Sequence, residues 1–224
     1  MPSLSKNILD VFVNLPHDSW IQEGISLQAM RKYGIAYYIS GDRIVIPHYD
    51  INGNLIGIRG RAMKEEDLSI AKYMPLFING KSLAHQLNFN LYGLYENKTA
   101  IKTLKKAIIF EGEKSVLKMY DYYNKYSCAV ATCGNSISNY QRDLLISLGV
   151  DEVIIAYDKE YSDHTSEKAK KYGKDIVKLA QKFLPYCDVS VLWDTNDLLD
   201  EQDAPVDKGK DIFEILVKNK IKIK

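Results

Sequence analysis

AIIFEGEKSVLKMYDYYNKYSCAVATCGNSISNYQRDLLISLGVDEVIIAYDKE, residues 107 to 160, is the stretch whose reading decides the fold. The runs AIIFEG (107–112), CAVAT (128–132) and EVIIAYD (152–158) are short, apolar and bounded by turn residues, as strands are. Between them, SVLKMYDYYNKY (115–126) and SNYQRDLLISLG (138–149) carry apolar residues at helical spacing, the second closed by Gly149. The rhythm continues with a helical stretch from 167 to 184, a fourth strand CDVSVLWD (187–194), an acidic loop from 194 to 207 and a last helix from 210 to 220. Four strands separated by helices predict a parallel sheet flanked by helices, an α/β fold.

Upstream the pattern differs. Residues 19–32 have helical spacing and stop at Gly34; RIVIPH (43–48) and LIGIR (55–59) read as strands joined by an Asp50-Ile51-Asn52-Gly53 turn, in which Gly53 supplies a positive φ. Residues 63 to 91 read as polar, Gly- and Pro-marked loop, and 92 to 106 as a helix with a basic end. The expected organisation is an α+β unit over residues 1–104 and an α/β unit over 105–224.

The 224 residues are 46% hydrophobic, enough for real cores and against wholesale disorder. The 30 basic and 29 acidic residues leave a formal charge of +1, yet residues 1 to 106 carry 13 bases and 9 acids while the remainder carries 17 and 20. One half is thus suited to a polyanion and the other to a cation. No stretch approaches a membrane span, and the first residues show no secretory pattern, so a cytoplasmic location is expected. Cys128, Cys133 and Cys187 form an odd set without Cys-x-x-Cys spacing or clustered histidines, so they read as free thiols with no zinc site.

Two of the strands end in carboxylates: Glu111 and Glu113 after the first, Asp158 and Glu160 after the third. Ligands of open parallel sheets bind beyond the carboxyl ends of strands, and residues two apart in an extended strand end face the same side. Clustered carboxylates repel one another and need a cation that prefers oxygen, Mg²⁺ or Mn²⁺. Lys159 between them reads as a surface residue or as a charge tuning the site.

EGEK (111–114), ATCGNSIS (131–138) and AYDKE (156–160), in this order, resemble the Toprim domain shared by DnaG-type primases, topoisomerases and related nucleases. Upstream, IVIPHYDINGNLIGIRGRAM (44–63), AKYMPLF (71–77) and NLYGLYE (90–96) resemble the RNA-polymerase core of bacterial DnaG-type primases, in which a basic subdomain precedes Toprim. The resemblance covers roughly residues 20 to 215. It implies synthesis of short RNA primers from nucleoside triphosphates on single-stranded DNA, with two or more Mg²⁺ or Mn²⁺ ions. It implies catalytic and metal-binding roles for Glu111, Asp158 and Glu160, and nucleotide or template contacts for Arg59, Arg61 and Lys72, with Lys81 and Tyr73 as weaker candidates. Forked arginine donors suit phosphate, and an aromatic ring can stack on a base.

The chain departs from the family in three places. Ser115 stands where a further aspartate is expected, leaving that ligand missing or supplied by Glu113. Glutamate replaces the second acid of Asp-x-Asp at 160. Near the C-terminus Asp194, Asp197, Asp207 and Asp211 compete for one metal-binding role, with Asp211, in KGKDIFEIL (208–216), preferred. Neither the zinc-binding module that precedes this core in the family nor a helicase-binding domain after it is expected within this sequence, so a replicative helicase or a separate zinc-binding protein is an expected partner, in a phage or mobile-element setting. Two other functions share these residues: a Toprim nuclease, and a replication accessory protein that binds nucleic acid without catalysis.

Overall fold

The computed structural model describes residues 2–15, 17–65 and 71–224; the part of the expected 63–91 loop at 66–70 lies outside them. After a 3-10 helix (Lys6–Val11) come two short helices, α1 (Asp18–Gln22) and α2 (Leu27–Lys32), followed by strands β1 (Ala36–Tyr38), β2 (Arg43–Tyr49), β3 (Leu55–Ala62) and β4 (Tyr73–Pro75). These four strands form one antiparallel sheet in chain order. The expected single helix over 19–32 is broken at Gly24, whose φ of 84° only glycine adopts without strain. The amide of Ile25 turns back to the Trp20 carbonyl, which buries both side chains. The β2–β3 hairpin forms at the expected turn: Gly53 has φ 85° and the Asp50 carboxylate accepts from the amides of Asn52 and Asn54. Within the stretch read as loop, β5 (Phe77–Ile78) and β6 (Lys81–Ser82) make a small hairpin.

After α3 (Leu94–Leu104) the alternation expected for the second half appears: β7 (Lys106–Phe110), α4 (Glu113–Tyr123), β8 (Ala129–Ala131), α5 (Asn139–Ser147), β9 (Glu152–Ile155), α6 (Glu167–Gln181) and β10 (Asp188–Val191). The helix α7 (Lys210–Lys218) then leads into β11 (Ile221–Ile223), an antiparallel edge strand that the sequence reading did not include. The order β11-β10-β9-β7-β8 places β7 and β9 side by side in parallel register, Ile109 opposite Ile155. Short strands buried on both faces read as unbroken apolar runs, which is why these were legible. Ile109, Phe110, Ile154 and Ile155 are fully buried, each worth about 1.5–3 kcal/mol of removed apolar surface.

One continuous core joins the two sheets. Trp20, Ile25, Met30 and Tyr33 from α1, α2 and the turns after them pack in the same cluster as Leu117 and Tyr120 of α4, and the amide of Ser26 donates to Asp121. Two of the later helices begin on side-chain caps: Ser138 and Gln141 form a reciprocal capping box at α5, and Ser166 accepts from the Ala169 amide at α6. No helix among the described residues is long and apolar enough to cross a membrane.

Candidate functional site

Because β7 and β9 are parallel neighbours, the residues just beyond their carboxyl ends meet. Glu111 follows β7 directly, and Asp158 and Glu160 follow β9. Burial raises the Asp158 carboxyl pKa to about 7, with the charges of Glu111, Asp207 and Glu160 adding to the rise. Burial and then Glu160 likewise raise Glu111. Among the described residues, no lysine or arginine forms a salt bridge with Glu111, Asp158 or Glu160. The buried Oδ1 of Asp158 has no hydrogen-bond partner. Repelling carboxylates with an orphaned oxygen at a strand-end cleft suit an oxygen-preferring divalent cation, so the residues present fit Mg²⁺ or Mn²⁺.

Lys159, between the acids, is neither a surface residue nor their partner. Its side chain is 5% exposed and its ammonium donates to Asp194 at 3.0 Å, Asp197 at 3.2 Å and the Leu199 carbonyl at 2.8 Å. Its backbone also bonds to Asp203 and Gln202. Tyr172 of α6 donates to the Asp158 carbonyl at 2.8 Å. These contacts anchor the strand end that carries Asp158 and Glu160.

The C-terminal acids separate. Asp194 and Asp197 are committed to Lys159. Asp211 stands exposed in the first turn of α7, whereas Asp207 is the member of the four whose charge acts on Asp158, while also pairing with Lys118 at 2.6 Å. Ser115 is buried in α4. Glu113 meets Arg59 at 2.5 Å and lies 3.4 Å from His48. Burial works against its charge, but His48 and Arg59 bring its pKa down to about 2.

The basic candidates are correspondingly occupied. Arg59 holds Glu113 and lies over the Tyr73 ring, 5.5 Å from its centroid, so one face of Tyr73 is taken. Arg61 pairs with Glu23 at 3.3 Å, and Lys114 joins the same carboxylate. Lys72 sits just before β4; partial burial of its ammonium and the neighbouring Lys114 and Arg61 lower its pKa, and its charge reaches Asp158. Lys81 is exposed on β6.

Sequence reading missed a second basic surface. Lys168, Lys171 and Lys178 of α6 and Lys182 just past its end, spaced by three, seven and four residues and so on one helical face, line a cleft of about 630 Å³ together with Glu111 and Glu160. The spacing was the available signal. Lys168 pairs with Glu201 and Lys178 with Asp175 at the surface, contacts weak enough to yield to a phosphate.

No family model matches the chain. It is 46% identical over 233 residues to the SPbeta prophage-derived uncharacterized protein YorJ of Bacillus subtilis, covering all of this chain and 62% of that one. The DNA primase of Borreliella burgdorferi is 31% identical over 173 residues, 70% of this chain and 31% of the primase. That of Chlamydia muridarum is 26% identical over 209 residues, 90% and 33%. The chain thus spans about a third of the length of these primases. Among solved structures, the zinc-binding and RNA polymerase domains of Aquifex aeolicus primase superpose with a TM-score of 0.72 at 22% identity, over 97% of this chain and 60% of that one. A DnaG primase catalytic domain bound to single-stranded DNA gives 0.68 at 17% identity, over 96% and 77%. By sequence the chain is a homologue of bacterial DNA primases, and its fold is that of the DnaG catalytic core.

Proposed function

We propose that the chain is a primase catalytic core that synthesises short RNA from nucleoside triphosphates on single-stranded DNA. In this reading residues 105–224 are a Toprim metal-binding domain, preceded by a basic subdomain over 1–104 that holds template. The observation that carries it is the convergence of Glu111, Asp158 and Glu160 beyond two adjacent parallel strands, with one buried oxygen of Asp158 unpartnered. Asp207 joins them as the C-terminal acid in preference to Asp211, since its charge is the one that acts on Asp158. Bound Mg²⁺ or Mn²⁺ would neutralise triphosphate charge and lower the cost of a developing alkoxide on the attacking 3′-hydroxyl. The carboxylates hold the site open and correctly placed, because Lys159 pins the strand end behind them.

Lys72, Lys171 and Lys182 are the phosphate-binding candidates. Arg59 and Arg61 are tied to Glu113 and Glu23 and act chiefly by fixing the surface against which template lies. The prophage relative supports a role in phage or mobile-element replication, with a helicase or separate zinc-binding protein delivering the enzyme to its template. The test is primer synthesis on mixed single-stranded templates with each divalent metal, for the wild type, Glu111→Gln and Asp158→Asn. Metal-dependent oligoribonucleotides lost in both variants support the reading. Unchanged synthesis by either variant, or cleavage of labelled single-stranded DNA with metal and no nucleotides, overturns it.

A further inference from the structure

A second group of donor side chains meets where the two sheets face each other. His48 comes from β2, Glu113 from the first turn of α4 and Cys133 from the segment after β8. Their ligand atoms all lie within 4.8 Å of one another, and His48 and Glu113 are each 1% exposed. The His85 ring lies beside that of His48, tilted by 45° with centroids 4.5 Å apart, in space that any side chain at Gly57 would fill. Both ring nitrogens of His85 are buried without a hydrogen-bond partner, and Nε2 of His48 has only the Glu113 carboxylate, 3.4 Å away and outside good hydrogen-bond geometry. A neutral imidazole carries one N–H and one lone pair, so orphaned pairs of this kind call for a ligand. The backbone at Cys133 is in the left-handed region, φ 58°, so strain falls on the residue that supplies the thiol.

Nitrogen, sulfur and oxygen donors in one buried cluster match Zn²⁺, whereas Mg²⁺ and Mn²⁺ prefer all-oxygen sites. We infer that His48, Glu113 and Cys133 form a site for Zn²⁺ as its three protein ligands, with the His85 ring packed beside His48, separate from the acids beyond β7 and β9. On binding, the Cys133 S–H bond breaks, its proton leaves to solvent, and the thiolate, carboxylate and imidazole lone pairs form the bonds to the ion with no change of oxidation state. Arg59 supplies the outer hydrogen bond that ligating carboxylates commonly receive, and keeps its contact with Tyr73. The ion would clamp the four-stranded sheet to the start of α4 and the end of β8.

The test is Co²⁺ titration of the full chain after removal of metal with a chelator, because a cobalt–thiolate bond adds a near-ultraviolet charge-transfer band. The expected result is one equivalent of Co²⁺ with that band, displaced by Zn²⁺ and not by excess Mg²⁺. The band should disappear in Cys133→Ser and persist in Cys128→Ser, Cys187→Ser and Asp158→Asn. Should Cys133→Ser not fold, as judged by circular dichroism, Arg59→Lys is the second variant, expected to weaken Co²⁺ binding about 10- to 100-fold. A wild type without the band at saturating Co²⁺, a folded Cys133→Ser that retains it, or unweakened binding by Arg59→Lys overturns the site. The outcome is independent of primer synthesis.

Discussion

Asp158→Asn should stabilise the metal-free protein. Burial and the charges of Glu111, Asp207 and Glu160 raise the native Asp158 pKa from 3.8 to about 7. For a carboxyl whose native pKa exceeds its unfolded one, ionisation is penalised in the folded state. The penalty is absent below about pH 4, grows between about pH 4 and 7, and is constant above that. The full shift corresponds to a ceiling of about 4 kcal/mol. Water entering through the neighbouring cleft reduces it, so the expected gain at pH 8 is ~1–3 kcal/mol. The assay is urea denaturation of wild type and Asp158→Asn in chelator at pH 4, 6 and 8. Divalent metal should reverse the ranking, since a cation held at 100 times its Kd adds about 2.7 kcal/mol to the protein that binds it. Equal urea midpoints in chelator at pH 8, or an advantage for Asp158→Asn that is as large at pH 4, would refute the reasoning.

Glu113→Gln leaves Arg59 without its buried partner and should cost about 3 kcal/mol at pH 7. Because the native Glu113 pKa is lowered to about 2, that cost should shrink as pH falls from about 4.5 towards 2, as read from urea midpoints. Lys159→Met strands the buried Asp194 carboxylate and should cost ~3 kcal/mol and weaken Mg²⁺ binding measured by calorimetry. If Asp194→Asn added to Lys159→Met recovers none of the lost stability, the anchoring role is wrong. Charge reversal of the α6 surface by Lys171→Glu and Lys182→Glu should weaken binding of Mg²⁺-bound nucleoside triphosphate about tenfold and flatten its salt dependence, with Mg²⁺ affinity retained. Unchanged nucleotide affinity in a fluorescence titration would remove α6 from the site.

Strand and helix alternation after residue 107, the Gly53 turn and the carboxylates at two strand ends were all legible along the chain. Each depends on periodicities of 2 and 3.6 residues or on the conformational freedom of one glycine, which are local properties. The short edge strand β11 escaped because three residues, IKI, carry too little pattern to separate from a helix end, and only pairing with β10 defines them. The break between α1 and α2 turned on Gly24, which a helical pattern alone tolerates.

The sequence by itself determined which residues bear charge and that one half is rich in bases and the other in acids. Tertiary structure decided which of those charges remain available. It set β7 beside β9, so that Glu111 and Asp158 repel each other, turned Lys159 inward to Asp194, and spent Arg59 and Arg61 on Glu113 and Glu23. It also drew His48, Glu113 and Cys133 together from three elements, although no spacing along the chain connects them. The physical reason is that strand order and packing are set by burial of apolar surface over long sequence separations, and a side chain's partners follow from that packing rather than from its neighbours in sequence.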